Sequence, residues 1–113
     1  MMNRDQELVI KSLLGRNQVY RMMGMNDDAK ADCKKALSIS IKSRSRKHIA
    51  DSFLNLSNVY GAISKYDKML YFSRRALQIN EELKDKNGIA ECLSDIAEVR
   101  ENMGNYKKAL ENH

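Results

Sequence analysis

The stretch IADSFLNLSNVYGAI (residues 49–63) decides the fold of this 113-residue chain. Its larger apolar residues recur at every third or fourth position: Ile49, Phe53, Leu56, Tyr60 and Ile63. That spacing places them on one face of an α-helix. The sequence therefore predicts a helix with one buried stripe over this stretch.

A second helix is predicted directly after a short break at Ser64-Lys65. Its stripe has the same spacing and consists of Tyr66, Met69, Ser73, Ala76, Asn80 and Leu83. The polar run Lys84–Gly88 is typical of a loop and should end it. The two helices together form a helical hairpin, which cannot bury its apolar face alone and must stack on others.

The hairpin is repeated when the sequence is shifted by 40 positions, so that Val19, Val59 and Val99 coincide and Tyr20 falls on Tyr60. Such a repeat over most of the chain indicates duplication of one structural unit. We predict units at about 5–44, 45–86 and 87–113, the last incomplete, with helices at about 5–23, 27–43 and 88–103. The expected turns are Met25-Asn26, where Asn26 or Asp27 caps the next helix, and Gly104-Asn105. The predicted fold is all-α: a right-handed α-solenoid of antiparallel helix hairpins with about two and a half units, a fragment of a longer protein.

Composition and motifs give catalysis no support. The chain has no proline and five glycines, and no stretch reaches the ~20 apolar residues of a membrane span. Cys33 and Cys92 are interpreted as packing residues, and His48 and His113 have no metal-ligand spacing around them. No phosphate-binding loop occurs, and nothing places a nucleophile beside a base. We therefore expect no enzyme activity, no cofactor and no metal.

The residues resemble the tetratricopeptide repeat (TPR) family. The resemblance lies in Leu56-Ser57-x-x-Tyr60 with Tyr66 and Ala76-Leu77, in Ile96-Ala97 with Gly104-Asn105-Tyr106, and in Tyr20, Gly24 and Ala36-Leu37. The 40-residue period exceeds the roughly 34 residues of the basic repeat. It is similar to the long-helix variety of bacterial signalling proteins, kinesin light chains and polarity adaptors, and most similar to the bacterial examples. The resemblance implies a scaffold or sensor module that binds a peptide, a helix or a neighbouring domain.

In this family the first helix of each unit lines a concave, partner-binding face. The implied stripe is Lys11, Gln18, Arg21 and Met22, then Asp51, Asn55 and Asn58, then Glu91, Asp95, Glu98 and Glu101. It runs from basic through amide-rich to acidic, so a partner could lie with its basic end against the third unit. The acidic end argues against capture of a chaperone C-terminal carboxylate.

Two alternatives remain open. The incomplete third unit could leave an apolar face that mediates self-assembly, consisting of Ile89, Leu93, Ile96 and Met103. The basic run 42–48, which holds much of the net charge of +5, could contact nucleic acid, although it lacks aromatic residues for stacking on bases. Arg16 replaces an apolar residue of the other units, so its side chain should either extend to an edge of the fold or pair with an acid. The sequence favours a cytoplasmic protein and leaves an extracytoplasmic sensor domain open.

Overall fold

Five α-helices make up most of residues 2–111, the part of the chain that the computed structural model describes. They are α1 (Arg4–Met22), α2 (Asn26–Lys42), α3 (Arg46–Ala62), α4 (Tyr66–Leu83) and α5 (Lys86–Glu111). Consecutive helices pack against each other, and α1 also contacts α3. The body is thin and elongated, at 54 × 31 × 18 Å. The predicted helical repeat solenoid is confirmed.

The four turns between helices share one hydrogen-bond pattern. After α1, the Gly24 amide donates to the Arg21 carbonyl (3.1 Å) and the Met25 amide donates to the Tyr20 carbonyl (2.8 Å). The same pair of bonds recurs at each later turn, shifted by 20 residues each time. These bonds define the Schellman motif, whose penultimate position takes a left-handed backbone. That position holds glycine only once; the left-handed residues are Gly24, Arg44, Ser64 and Lys84.

Replacing Ser64 with glycine should stabilise the protein. Ser64 has φ 61°, and a side chain in that region costs about 1 kcal/mol relative to glycine. We expect Ser64→Gly to raise the free energy of unfolding by about 0.5–1 kcal/mol, measured by urea denaturation. Ser64→Ala is the matched control, because it removes the hydroxyl and keeps the strain. An equal gain in both variants would contradict the backbone explanation.

The core is built from a cluster that four helices share. Ala29 and Cys33 of α2, Leu56, Val59 and Tyr60 of α3, Met69 of α4 and Val99 of α5 are all buried in it. Burial raises the pKa of the Cys33 thiol to about 12, which fits the packing role predicted for this residue.

A buried polar contact is repeated with the fold. Asn17 Nδ2 of α1 donates to the Ala29 carbonyl of α2 (2.6 Å), and Ser57 Oγ of α3 donates to the Met69 carbonyl of α4 (3.0 Å). The two donors, Asn17 and Ser57, are 40 residues apart in the sequence, and so are the two acceptors, Ala29 and Met69. Both bonds satisfy a side chain that is fully buried. The repeat therefore extends from the apolar pattern to the polar contacts inside each hairpin.

Arg16 pairs with an acid, which is one of the two arrangements predicted for it. Its guanidinium donates two hydrogen bonds to the Asp32 carboxylate, at 2.7 and 2.8 Å. Asp32 is buried while the Arg16 side chain remains 56% exposed. The planar guanidinium thus satisfies both carboxylate oxygens and joins α1 to α2.

Three predicted boundaries are wrong. The Gly104-Asn105 turn is absent, because α5 continues through it to Glu111. Extending a formed helix adds a hydrogen bond per residue, whereas a short separate helix must be nucleated anew. The 84–88 loop is shorter than predicted, since α5 begins at Lys86 and Asp85 Oδ1 accepts from the Gly88 amide (3.0 Å). Neither Asn26 nor Asp27 caps α2, whose cap position is Met25 and has no side-chain bond.

Candidate protein-binding site

The candidate site is the face formed by the first helix of each hairpin, which we call the concave face. It comprises one side of α1, α3 and α5. Between α3 and α5 lies an open groove of about 470 Å³, which we call the acidic groove. Its lining residues are Leu54 and Asn58 of α3 and Ala90, Glu91, Ser94 and Asp95 of α5.

The predicted stripe is accessible along its whole length. All of its residues are exposed or half-buried, and Met22 is 81% exposed. The acidic groove brings three of them together from two helices: Asn58, Glu91 and Asp95. Glu98 and Glu101 continue the acidic side along α5.

Several stripe residues already have partners within the chain. Lys11 Nζ lies 3.4 Å from Glu7 on the same helix. Arg21 Nε donates to Asn17 Oδ1 (3.2 Å), and Asn55 Nδ2 donates to the Asp51 carbonyl (2.9 Å). These contacts hold the side chains in place and leave other donors and acceptors for a ligand.

Asp95 has the least favourable environment of the acidic residues in the groove. Burial, together with the negative charges of Glu98 and Glu91, raises the pKa of its carboxyl to about 6, although the charge of Arg21 on α1 acts in the opposite direction. Glu91 and Glu98 lie one helical turn away on either side, where like charges repel. Its Oδ2 is buried and accepts no hydrogen bond from the described residues. A cationic donor beside the Asp95 carboxylate would offset the repulsion by Glu91 and Glu98 and supply the missing hydrogen bond.

Replacing Asp95 with asparagine should make the fold less sensitive to pH. The pKa of Asp95 is about 6 in the folded chain, above that of an unfolded aspartate, so the folded state favours the protonated form. This contribution is present below the unfolded pKa and is lost as pH rises through about 6. We expect Asp95→Asn to add about 1 kcal/mol at pH ~7.5, after allowance for solvent screening, and little at pH ~4. Thermal unfolding of both proteins at the two pH values measures this; a gain that does not depend on pH would contradict it.

The residues named for self-assembly do not form one exposed face. Ile96 is buried, Ile89 and Met103 are half-buried, and Leu93 is 52% exposed. Leu93 is instead exposed together with Ala90 and Ala97, which lie three and four positions away on α5.

The basic run lies at the junction of α2 and α3, and part of it serves the fold. Lys47 Nζ lies 2.7 Å from Asp85 and 3.2 Å from Asp51, and Arg46 pairs with Glu82. These pairs join the start of α3 to α4 and to the turn before α5.

The sequence did not identify the small residues of the acidic groove. Ala90 and Ser94 lie four positions apart, each next to an acidic residue of the stripe, and they leave space between α3 and α5. Small residues with helical spacing beside the acidic stripe are the signal that could have located the groove.

Within residues 2–111, no set of three or more histidine, cysteine, aspartate or glutamate side chains is arranged to hold a metal ion. None of the helices in this range is both long and apolar enough to cross a membrane.

Stacked helical hairpins with an open groove between their first helices define a helical repeat protein. The tetratricopeptide repeat family model matches residues 49–113, so the chain belongs to the TPR family.

A relative and a solved structure agree with this. The chain is 29% identical over 97 residues to protein kinesin light chain-related 2 of Arabidopsis thaliana, covering 82% of this chain and 15% of that protein. It thus spans a small part of that relative. The crystal structure of the TPR domain of Arabidopsis FLU superposes with a TM-score of 0.67 at 16% identity, covering 96% of this chain and 99% of that one. The sequence had favoured the bacterial signalling examples, whereas this relative is named for the kinesin light chains that the resemblance also included.

Proposed function

We propose that the concave face binds an extended segment of another protein, with a lysine or arginine of that segment in the acidic groove. TPR proteins in general mediate protein–protein interactions and are typically not catalytic. The finer proposal rests on Asp95, a half-buried acid that lines the groove and whose Oδ2 accepts no hydrogen bond from residues 2–111. A cationic side chain would supply that donor and offset the repulsion between the neighbouring carboxylates.

Charge along the face supports one orientation of the bound segment. Arg21 and Lys11 lie on α1, amides lie on α3, and the acids lie on α5. Complementary charge steers association and sets direction more than it sets affinity. The basic end of the segment therefore lies against α5 and the acidic end against α1.

A direct test uses a short fluorescent peptide with lysines at one end and glutamates at the other. We expect Glu91→Lys, Asp95→Lys and Glu98→Lys combined to weaken its binding at least about tenfold at low salt. The matched control makes the same change in net charge at exposed acids outside the concave face, in Asp5→Lys, Glu81→Lys and Glu111→Lys. If both sets of substitutions weaken binding of the peptide equally, binding depends only on the net charge of the protein, and the proposal would be overturned.

Orientation is tested separately with a spin label on the lysine end. The label should broaden the amide resonances of α5 near Asp95 and leave those near Lys11 unaffected. The opposite pattern would contradict the proposed direction of binding.

Self-assembly is a second candidate, supported by the exposed Leu93 between Ala90 and Ala97. A copy packed on this side of α5 would cover an apolar stripe that has helical spacing. Light scattering over a concentration series should then show a rising molar mass that Leu93→Asp abolishes. A constant monomer mass would exclude this candidate. Nucleic-acid binding has less support, because Arg46 and Lys47 are already paired with acids.

A further inference from the structure

A second groove, separate from the concave face, lies between α2, α4 and the start of α3. It encloses about 790 Å³ and shares no residue with the acidic groove. Three arginines line it, one from each of its walls: Arg44 after α2, Arg46 at the start of α3 and Arg75 on α4. We call it the arginine groove.

The floor of the arginine groove is apolar. Ile49, Phe53 and Ile79 belong to a core cluster between α3 and α4, and their outer surfaces reach the groove. Ile41 extends this surface on the α2 side and is 54% exposed. An apolar surface with charged edges is typical of a site that receives a hydrophobic side chain of a partner.

Two of the three cations at its edge are not paired with an acid. The Arg75 guanidinium stacks 5.4 Å from the ring centre of Phe53 and donates to the Tyr71 hydroxyl (3.0 Å). Among residues 2–111, neither Arg75 nor Arg44 has a carboxylate within ion-pair distance, whereas Arg46 pairs with Glu82. The groove therefore carries three guanidinium groups and one carboxylate.

The start of α3 adds positive potential to the same place. Its first turn contains no acidic residue, and no side chain caps it. The Ser45 hydroxyl, which could have done so, lies 2.6 Å from His48 Nδ1 instead. Arg46 and Lys47 of this turn already pair with Glu82 and Asp85, so the positive charge left at this end of the groove is that of Arg44 and of the helix dipole.

We propose that the arginine groove docks an acidic segment of another protein that also carries a hydrophobic side chain. Carboxylates of the segment pair with Arg44 and Arg75, whose planar guanidiniums suit such contacts. The hydrophobic side chain lies on Ile41 and Ile79, beside the Arg75 guanidinium that covers Phe53. The interaction does not depend on the concave face, so the two surfaces could hold two partners at once.

The test measures fluorescence anisotropy of a short peptide of glutamates with one central phenylalanine. We expect Arg44→Glu with Arg75→Glu to weaken its binding at least about tenfold at low salt. The control is Arg4→Glu with Arg100→Glu, which changes net charge equally at exposed arginines elsewhere and should weaken binding much less. Circular dichroism verifies that both variants are folded. Equal weakening in the two variants, or no binding by the wild-type protein, would overturn the proposal.

A substitution that increases the affinity for the peptide distinguishes a change in the docking contacts from damage to the fold. Glu82→Gln removes the carboxylate from the groove and releases Arg46, so we expect the glutamate peptide to bind about threefold tighter or more. Unchanged or weaker binding would overturn the proposal. Replacing the phenylalanine of the peptide with alanine should weaken binding. Unchanged binding would mean that the apolar floor of the groove does not contact the peptide.

The same variants would also reveal two other possible ligands of the arginine groove, nucleic acid and a second copy of the chain. Duplex DNA that binds more tightly than the peptide, and loses affinity in the Arg44/Arg75 variant, would assign the groove to nucleic acid. A molar mass that rises with concentration, and no longer does so in that variant, would assign it to a second copy of the chain. Either result would overturn the proposal. The triple lysine variant of the acidic groove should still bind the glutamate peptide, so failure of one proposal is distinguishable from failure of the other.

Discussion

Tyr60→Ala should remove much of the stability of the protein, by about 3–5 kcal/mol. Tyr60 is 6% exposed, and its ring lies nearly parallel to that of Phe72, with 5.6 Å between the ring centres. Phe72 in turn lies 5.7 Å from Phe53. The stack joins the two core clusters around α3 and α4, so a cavity at Tyr60 would loosen both clusters. Small domains are stable by only about 5–15 kcal/mol in total, which makes this a large fraction.

Urea denaturation followed by circular dichroism measures the loss. Tyr60→Phe keeps the ring and should cost less than about 1.5 kcal/mol. Tyr106→Ala removes a tyrosine that is 60% exposed and should change stability by less than about 0.5 kcal/mol. A similar loss at Tyr60 and Tyr106 would contradict the central role of the stack.

The helices were predictable because their signal is periodic and repeated. Stripes such as Ile49 to Ile63 appear at fixed spacing, and the offset of 40 residues marks the same helix in each unit. The repeat also carried information that was not extracted from the sequence. Asn17 and Ser57 occupy equivalent positions, and both turned out to donate to the carbonyl of the neighbouring helix.

The turns and the end of α5 were harder to predict, because local residue preferences do not determine them. Arg44, Ser64 and Lys84 adopt the left-handed backbone that favours glycine, because the hydrogen bonds of the Schellman motif at each turn require it. Gly104 occupies the equivalent position and lies inside a helix. A turn there needs a following helix long enough to pack back on α5, and the residues up to Glu111 do not form one.

The candidate site was predictable in its charge and not in its geometry. Acids at positions 91, 95 and 98 can be recognised as one helix face from spacing alone. The burial of one Asp95 oxygen depends on how the neighbouring helices pack around it, which no local pattern encodes. The same holds for the arginine groove, whose cations come from three separate segments of the chain.

Gly88→Ala should destabilise the fold by about 1–3 kcal/mol, whereas the same substitution at Gly15 should stabilise it. Gly88 is buried in the first turn of α5, and a methyl group there would lie 2.5 Å from Asn80 Oδ1. Asn80 is 2% exposed and cannot move away easily, because it contacts Lys47 Nζ (3.3 Å) and Cys92 Sγ (3.5 Å). Gly15 has open space around it, so alanine there gains helix propensity of up to about 1 kcal/mol. Opposite signs for the two substitutions in urea denaturation are the expected result, and a gain at both positions would contradict close packing at Gly88.

A double-mutant cycle locates the cause of the loss at Gly88. Asn80→Ala alone should be destabilising, because it removes the contacts of Asn80 with α3 and α5. If the methyl group at position 88 acts by displacing the Asn80 amide, adding Gly88→Ala to Asn80→Ala should cost nearly nothing more. The coupling between the two substitutions should then be about 1 kcal/mol or larger, and favourable to the double variant. Additive losses would mean that the methyl group disturbs the start of α5 itself, and that the approach of α4 to α5 is not what requires glycine at this position.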